Sequence, residues 1–343
     1  MRKGKKIYIQ AVFLLFLVVG TILIIRQQQD MPYQHNEGFI FGTVYHATYQ
    51  YDKDLNKEIV TELNKVDEEF SMFNKRSMVT AFNQGRQIEA SKMFMNVLTL
   101  SQAINKETDG AFDITVAPLV NAWGFGFKHQ QLPNRQQVDS LRALMGMQYI
   151  KVGHTGEKNI VKTDHKGLML DFSAIAKGYG SDAVAAVMRR HDIKNYMIEI
   201  GGEIVTSGIS EKRLPWKIGV TKPTDDSLNT NQNLQTVLNV TDRAMATSGN
   251  YRNFYYKNGK KLAHTIDPRT GYPVQHSLLS ATVLAHSCAE ADGYATAFMV
   301  LGIEKSKAVL DKHPELMAYF IYADKDGKTK VWYSPSLEKT LVK

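Results

Sequence analysis

Cysteine is nearly absent from this chain of 343 residues, which carries one, Cys288. A disulfide cannot form within the chain, so a small secreted scaffold held together by disulfides is excluded. No Cys-His signature surrounds this thiol. We therefore favour a buried small side chain over a nucleophile as its interpretation.

Acidic residues are missing before Asp30, and basic residues flank an apolar run in the same stretch. The five basic residues are Arg2, Lys3, Lys5, Lys6 and Arg26. Without them, 37 of the 42 basic residues remain against 34 acidic residues, an excess of three. The high net charge is thus partly a targeting signal, and no basic stripe indicates nucleic-acid binding.

The segment Ile7–Ile25 is almost continuously apolar. At about 1.5 Å per residue it is just long enough to cross a bilayer core. The basic residues before it should stay in the cytoplasm, which places the rest of the chain on the outer face. A cleaved signal peptide is the alternative. Because the run ends in Arg26-Gln27-Gln28 without a small-residue cleavage site, we favour an uncleaved anchor over residues 1–26.

The remaining chain divides into a short polar stretch and one long globular part. Residues 27–38 are polar and predict a tether, whereas the pattern from residue 39 to residue 343 is globular, without repeats or low-complexity linkers. Apolar residues at helical spacing predict helices over 55–70 and 93–104, one starting near 173, and one over 289–301.

Several runs rich in β-branched and aromatic residues predict strands. They are FGTVYHATY, NYMIEIGG, PWKIGV, TVLNV, LLSATVLAH, MAYFIYAD and TKVWYS. Helices and strands are mixed without strict alternation. This order favours a single α+β unit with a mixed, largely antiparallel sheet.

Two stretches in the first half suggest a binding site. In GAFDITVAPLVNAWGFG, Gly110 precedes an aromatic residue and a carboxylate on a tight loop, although a core loop explains the pattern equally well. In LMLDFSAIAKGYGSDAVAAVM, Asp171 ends an apolar run before a predicted helix start. Free N–H groups at a helix start suit phosphate, and Lys177 adds a positive charge.

The second stretch also fits the dinucleotide pattern G-x-G-x-x-A through Gly178, Gly180 and Ala183. That pattern requires its first glycine at the end of a strand, but six residues separate Asp171 from Gly178. The strand–turn–helix context is missing, so we reject a Rossmann site.

Two stretches in the second half add candidate catalytic groups. His264 falls near the end of a predicted hairpin between two turn motifs, where a structural histidine is the usual interpretation. Asp292 and Thr296 are four residues apart and share one face of a predicted helix. Their oxygens suit Mg²⁺, whereas an acidic residue in a first helical turn is also common without any metal.

Eight stretches in register give the chain its resemblance to a known family. They are FGTVYHATY, FSMFNKRSMVTAFN, GAFDITVAPLVNAWGFG, LDFSAIAKGYGSD, YMIEIGGEI, ATSGNYRNF, HTIDPRTGYPV and EADGYATAFMVLG. Together they resemble the ApbE family of FAD:protein FMN transferases. The resemblance implies a single ApbE-like, T-fold-related α+β domain that holds FAD in a cleft with Mg²⁺ at its pyrophosphate.

The resemblance also implies which residues form the site. The positions that contact FAD in the family correspond to Phe41, Phe73, Ala111, Phe112, Asp113, Asp171, Lys177 and Ile266. The metal positions correspond to Asp292 and Thr296 and to the carbonyls of Ala174 and Ala295. The family histidine falls on His264. His264 is our candidate catalytic base, because its unperturbed pKa of about 6.5 suits proton transfer, and an orienting role is the main alternative. Asp292 is the second candidate catalytic residue, through the metal that it would bind.

The chain departs from the family pattern at three of these positions. Phe41 replaces the usual methionine, and Phe73 replaces a tyrosine and loses its phenol hydrogen bond. Some members have a second carboxylate where Ala295 stands, so the metal is expected to bind less tightly here.

The implied reaction transfers FMN from FAD to a threonine or serine hydroxyl of an acceptor flavoprotein and releases AMP. The implied acceptor is a subunit of a membrane redox complex. The implied location is the bacterial cytoplasmic membrane, crossed once, with the catalytic domain outside. Two alternatives stay open: an FAD pyrophosphatase that yields FMN and AMP, and a non-catalytic FAD-binding protein outside the cell.

Overall fold

The computed structural model describes residues 2–126, 132–223, 233–250, 254–257 and 260–342. The helices are α1 Arg2–Asp30, α2 Asn56–Phe70, α3 Met78–Asn83, α4 Lys92–Glu107, α5 Ala117–Ala122, α6 Arg135–Arg142, α7 Ala176–Arg190, α8 Cys288–Leu301 and α9 Ile303–Leu310, with 3₁₀ turns at Met147–Tyr149 and Pro335–Thr340.

The strands follow in chain order. They are β1 Tyr33–Ile40, β2 Thr43–Gln50, β3 Ile88–Ala90, β4 Lys151–Thr155, β5 Lys158–Lys162, β6 Tyr196–Ile200, β7 Glu203–Ser207, β8 Trp216–Thr221, β9 Leu234–Val240, β10 Ala244–Gly249, β11 Phe254–Lys257, β12 Lys260–Ala263, β13 Ile266–Asp267, β14 Tyr272–Pro273, β15 Leu278–Ala285, β16 Met317–Ala323 and β17 Thr329–Tyr333.

One large sheet organises the fold. Eight strands lie in the order β1-β2-β6-β7-β10-β15-β16-β17, and each neighbouring pair whose register is described is antiparallel. All seven strand predictions and all four helix predictions correspond to observed elements. The predicted α+β class with a largely antiparallel sheet is therefore confirmed.

Strand β1 occupies the second half of the segment that the sequence suggested as a tether. It pairs with β2 along its whole length, from Tyr33 to Ile40. His35, Glu37 and Phe39 alternate outward at the sheet edge, so the polar composition reflects one solvated face of a strand. The prediction of a tether through residue 38 and a domain starting at residue 39 is wrong at this point, because the sheet begins at Tyr33.

Helices α7 and α8 pack on one face of the sheet, and α2 packs against α7. Helix α8 lies in the centre and is buried nearly all round, which fits a helix that is apolar on every side. Helices α7 and α8 come close enough that a Cβ atom on Gly178 would lie 2.3 Å from the carbonyl oxygen of Cys288. Gly178 therefore serves helix packing, which explains the first glycine of the rejected dinucleotide pattern.

Substituting Gly178 by alanine is expected to destabilise the domain by about 1–3 kcal/mol, because the added methyl group would overlap backbone that cannot move alone. Gly153→Ala is the matched control, since a Cβ at Gly153 meets no atom within 4 Å. Urea unfolding of both variants measures the difference. Equal midpoints for the two variants would contradict this account of the α7–α8 contact.

Smaller units complete the domain, one of which is the three-stranded sheet β3-β5-β4. On the other face of the sheet, the β8–β9 hairpin packs Trp216, Ile218 and Leu238 against the sheet. Beside the helical face, a cluster around Trp123 joins α5 and α6 to β13. Residues 222–233 connect the two strands of this hairpin, and residues 224–232 lie outside the described part of the chain.

Candidate active site

A cleft with two adjoining hollows lies between the helical face and the loops at its edge. The inner hollow has a volume of about 460 Å³ and the outer hollow about 580 Å³. The residues that line both are Met72, Phe73, Asp171, Ser173 and Lys177. The cleft is therefore continuous and elongated, a shape suited to a ligand with two bulky ends.

The cleft brings together nearly all residues that the sequence suggested for the site. Phe41 lines the outer hollow, while Phe73, Asp171 and Lys177 line both. The inner hollow is lined by Ala111, Phe112, Asp113, Ala174, His264, Ile266, Asp292 and Thr296. Ala295 is the exception among the described residues, because it does not line the cleft and is fully buried.

Phe41 reaches the cleft from the turn between β1 and β2. Phe41 and Gly42 have φ angles of 51° and 75° and form the two-residue connection typical of a tight hairpin. The ring packs over α7, where a Cβ on Gly180 would lie 2.8 Å from its Cε2 atom. The missing side chain at Gly180 thus makes room for this ring.

Asp292 is a buried carboxylate in the wall of the inner hollow, with 3% of its surface exposed. Its Oδ2 atom accepts a hydrogen bond of 3.1 Å from the N–H of Gly178. Burial raises the pKa of Asp292, while the charge of Lys177 and this hydrogen bond oppose the rise. A buried carboxylate of this kind is well suited to a cation, which would offset its desolvation.

Lys177 is held by an acidic residue that the sequence prediction missed. Its Nζ atom lies 2.5 Å from Oε1 of Glu203, and Glu203 also lines the inner hollow. Burial lowers the pKa of Lys177, but Asp292 and Glu203 together outweigh burial and raise it above its usual value. Lys177 therefore stays charged inside the cleft.

Glu203 is placed by a tight turn between β6 and β7. Gly201 and Gly202 form this turn with φ angles of 63° and 103°, which favour glycine. The sequence signal was present in YMIEIGGEI, where a carboxylate directly follows a glycine pair between two strands. Only the packing of α7 against β7 shows that the carboxylate of Glu203 meets Lys177.

Two further carboxylates, Asp113 and Asp171, are oriented by local turns. Oδ1 of Asp171 accepts a bond of 2.8 Å from the N–H of Ser173, and Oδ1 of Asp113 accepts two bonds of 2.7 Å from Thr115. Burial raises the pKa of both carboxyls, and these bonds oppose the rise. Both side chains thus present fixed hydrogen-bond acceptors to the cleft.

Thr296 lies one helical turn after Asp292 on the same face of α8, as predicted. Its hydroxyl lies 3.3 Å from that of Ser248 at the end of β10. Ser248 lines the cleft too and belongs to the first of the two turn motifs that flank the predicted hairpin. The carboxylate and hydroxyls are hard oxygen donors, which fits Mg²⁺.

Charged ligands alone do not complete such a metal site. In the described parts of the chain, no three His, Cys, Asp or Glu side chains converge on a common point. A cation at Asp292 would therefore need hydroxyl, carbonyl and substrate oxygens as well. This is the usual situation for Mg²⁺ bound beside a phosphate.

His264 lies directly after β12 and faces the inner hollow. Its ring meets Phe125 edge to face at 6.4 Å between centroids. The next residues form a rigid turn, in which Arg269 bonds Asp267 through two nitrogen atoms. Trp123 anchors this turn by a 2.8 Å bond from Nε1 to the Gly271 carbonyl. The predicted hairpin is observed, with 251–253 and 258–259 outside the described chain.

The start of α8 is fixed by a carboxylate from α7. Asp182 accepts bonds of 2.8 and 2.9 Å from the N–H groups of Cys288 and Ala289. Burial raises the pKa of Asp182 to about 6, while these two bonds act in the opposite direction. Asp182 thus satisfies two N–H groups at the first turn of the helix that carries Asp292.

Replacing Asp182 by alanine is expected to destabilise the domain by about 1–3 kcal/mol, because two buried N–H groups lose their acceptor. Asp182→Asn keeps one acceptor oxygen and should recover part of the loss. Thermal unfolding at pH 7.5 compares the two variants. An alanine variant as stable as the unchanged protein would show that this cap contributes nothing.

The chain is similar to several characterised proteins along most of its length. It is 35% identical to the FAD:protein FMN transferase of Escherichia coli K12 over 316 residues, covering 89% of this chain and 88% of that protein. It is 37% identical to the transferase of the same name from Haemophilus influenzae over 303 residues, covering 84% and 86%.

A solved structure of the flavin transferase ApbE from Vibrio cholerae matches with a TM-score of 0.80 and 34% identity, covering 91% of this chain and all of that one. The Pseudomonas stutzeri flavinyl transferase ApbE matches with a TM-score of 0.79 and 28% identity, covering 90% and 97%. Fold, cleft and relatives together define the chain as a transferase. It belongs to the ApbE family, whose sequence model matches residues 41–320.

Proposed function

We propose that this enzyme transfers FMN from FAD to a threonine or serine hydroxyl of an acceptor flavoprotein and releases AMP, with Mg²⁺ bound. The observation that carries this proposal is the meeting of buried Asp292, charged Lys177 and His264 in one elongated cleft. The relatives named FAD:protein FMN transferase support the same reaction.

The transfer exchanges one bond at phosphorus for another. The acceptor oxygen attacks the FMN-side phosphorus of FAD, a phosphodiester bond forms, and the bond to the AMP oxygen breaks. The hydroxyl proton passes to a base, and AMP leaves with the electron pair of the broken bond. Negative charge spreads over the phosphoryl oxygens and the leaving group, so positive groups must surround them.

Asp292, Thr296 and the carbonyl of Ala174 would hold the metal ion, and Ala295 remains a further predicted ligand through its carbonyl. When bound, Mg²⁺ neutralises charge on the diphosphate and orients it for in-line attack. Lys177 supplies a second positive charge from within the protein, since Glu203 and Asp292 keep it protonated. Asp113 and Asp171 would bind sugar, ribityl or adenine groups of FAD.

His264 is the proposed base that takes the proton of the acceptor hydroxyl. It faces the same hollow as Asp292 and lies between β12 and the rigid turn that Trp123 anchors. A histidine is matched to this task because its unperturbed pKa, about 6.5, lies near neutral pH. Phe41 and Phe73 offer aromatic faces in the outer hollow on which a ring of FAD would stack.

We also propose that α1 anchors the enzyme in the bacterial cytoplasmic membrane with the catalytic domain outside. Its stretch Ile7–Ile24 has a mean hydropathy of 2.6 and is long enough to span a bilayer. The basic residues before it favour a cytoplasmic start. A subunit of a membrane redox complex would be the acceptor reached from this position.

Removing the metal is expected to stop both FMN transfer and AMP release. The purified full-length chain in detergent is incubated with FAD and a candidate acceptor subunit, with Mg²⁺ or with EDTA. Mass spectrometry measures FMN addition to the acceptor, and chromatography measures AMP. Excess Mg²⁺ added after EDTA should restore the activity, since the ligands remain in place.

The same assay separates the alternative functions. AMP released equally without acceptor would indicate an FAD pyrophosphatase, and FAD binding without any AMP would indicate a binding protein. Transfer that persists in EDTA would remove the metal from the mechanism.

A further inference from the structure

The connection between α1 and the sheet is short and hydrogen bonded at both of its residues. Only Met31 and Pro32 separate α1 from β1. The Met31 carbonyl accepts a bond of 2.9 Å from Nε2 of Gln50, and the Pro32 carbonyl accepts one of 3.0 Å from the N–H of Tyr51. The two residues therefore belong to the folded domain and do not act as a free linker.

Gln50 has the features of a clamp on this connection. It is 7% exposed, and a buried amide is costly unless its polar atoms have partners. Its Oε1 accepts a bond of 2.7 Å from Nδ2 of Asn195, while its Nε2 holds Met31. Gln50 lines neither hollow of the cleft, so the reaction does not account for it.

The cleft lies at the opposite end of β1 from this clamped connection. The eight residues of β1 extend for about 26 Å at roughly 3.3 Å per residue. The strand ends at the turn with Phe41, which lines the outer hollow. The part of α1 beyond the apolar stretch, residues 25–30, adds about 9 Å at most. Met31 and Pro32 add about 7 Å, so the cleft entrance is at most about 42 Å from the apolar end of α1 along this path.

We propose that the clamped connection holds the catalytic domain at one height and orientation above the membrane. The enzyme then selects membrane-anchored acceptors whose hydroxyl stands at the height of the cleft. This inference rests on the proposed function and on α1 as a retained anchor. A tethered enzyme has a high effective concentration only for sites that its connection can reach, and a stiff connection narrows that range.

The experiment uses the acceptor subunit that the transfer assay labels, anchored in lipid vesicles together with the full-length enzyme. One acceptor form keeps its own stalk, and a second carries a helical spacer of about 20 residues, which raises it by about 30 Å. The unchanged enzyme is expected to modify the natural form about tenfold faster than the raised form.

Two variants release the connection in different ways. One inserts a Gly-Ser segment of about 12 residues between Asp30 and Met31, and the other is Gln50→Leu, which removes the bond to Met31 at similar side-chain volume. In both variants, the rate for the natural acceptor form is expected to exceed the rate for the raised form by about twofold or less, since the domain can then sample several heights. The insertion leaves the clamp and the core intact, so it tests the proposal even if Gln50→Leu folds poorly.

Detergent micelles separate this inference from the proposed function. Enzyme and acceptor meet freely there, so the unchanged enzyme and the insertion variant should modify both acceptor forms at equal rates. Absence of transfer in micelles would overturn the proposed function itself. Two results in vesicles, each obtained with normal transfer in micelles, would overturn the proposal that the domain is held at one height. The first is an equal rate for both acceptor forms with the unchanged enzyme. The second is a preference for the natural form that the insertion variant retains.

Discussion

Asp292→Ala is expected to reduce FMN transfer by about a thousandfold or more. The carboxylate is the only acidic side chain in the proposed ligand set, and a cation at a transferring phosphoryl group contributes several kcal/mol to the transition state. A loss of about 4 kcal/mol corresponds to roughly a thousandfold in rate. Single-turnover transfer to the acceptor, measured across a range of Mg²⁺ concentrations, gives the size of the effect.

The folded state should tolerate this substitution. Lys177 keeps Glu203 as its partner at 2.5 Å, so no buried charge is left alone when Asp292 is removed. Asp292→Asn keeps the volume and the bond from Gly178 but lacks the charge, and it should be nearly as inactive. Glu304→Gln, at an exposed carboxylate in α9, is the matched control. Mg²⁺-dependent transfer at a normal rate in Asp292→Asn would reject Asp292 as the metal ligand.

Much of the fold was predictable because its periodic patterns are strong. Helix α2 buries Ile59, Leu63, Val66 and Phe70, the same three- and four-residue spacing that the sequence displays. Helix α8 was predicted over 289–301 and is observed over Cys288–Leu301, where it is buried nearly all round on the sheet. In both elements the local pattern and the tertiary packing favour the same structure.

Strand β1 could not be recognised, because an edge strand with one solvated face has the composition of a linker. Whether it pairs depends on β2, with which Phe41 and Gly42 connect it, and on the bonds that Gln50 and Tyr51 make to the preceding residues. The bonds from Gln50 and Tyr51 join residues 19 positions apart, which is farther than the short alternating pattern that identifies a strand.

The residues of the site also divide into those that the sequence predicted and those that it did not. Family motifs supplied Asp292, Thr296 and Lys177 with their positions in the chain, and the structure brings all three to one cleft. Glu203 and Ser248 were missed, because their relevance depends on strand pairing that places β7 and β10 beside the helices. A glutamate after two glycines occurs in many structural contexts. Only its short distance to Lys177 in the folded structure identifies Glu203 as part of the site.

His264→Ala is expected to lower FMN transfer by about 10²–10⁴-fold while FAD binding stays nearly unchanged. A positioned general base contributes a factor of this size, and the binding groups at Phe41, Phe73 and Asp171 are retained. Rapid-quench measurement of acceptor labelling gives the rate, and flavin fluorescence gives the affinity. His154→Ala, at an exposed histidine in β4, is the control and should behave like the unchanged enzyme.

A base and an orienting residue differ in how the variant responds to added imidazole. The cavity left by His264→Ala lies in the wall of the inner hollow and is open to a small molecule. If His264 accepts the proton, imidazole should restore part of the activity, and the restored rate should rise with pH as the added base deprotonates. If His264 only orients the acceptor, imidazole should have no effect, whereas His264→Gln, which retains hydrogen-bonding groups, should recover most of the rate. Full turnover in His264→Ala without any addition would exclude both roles.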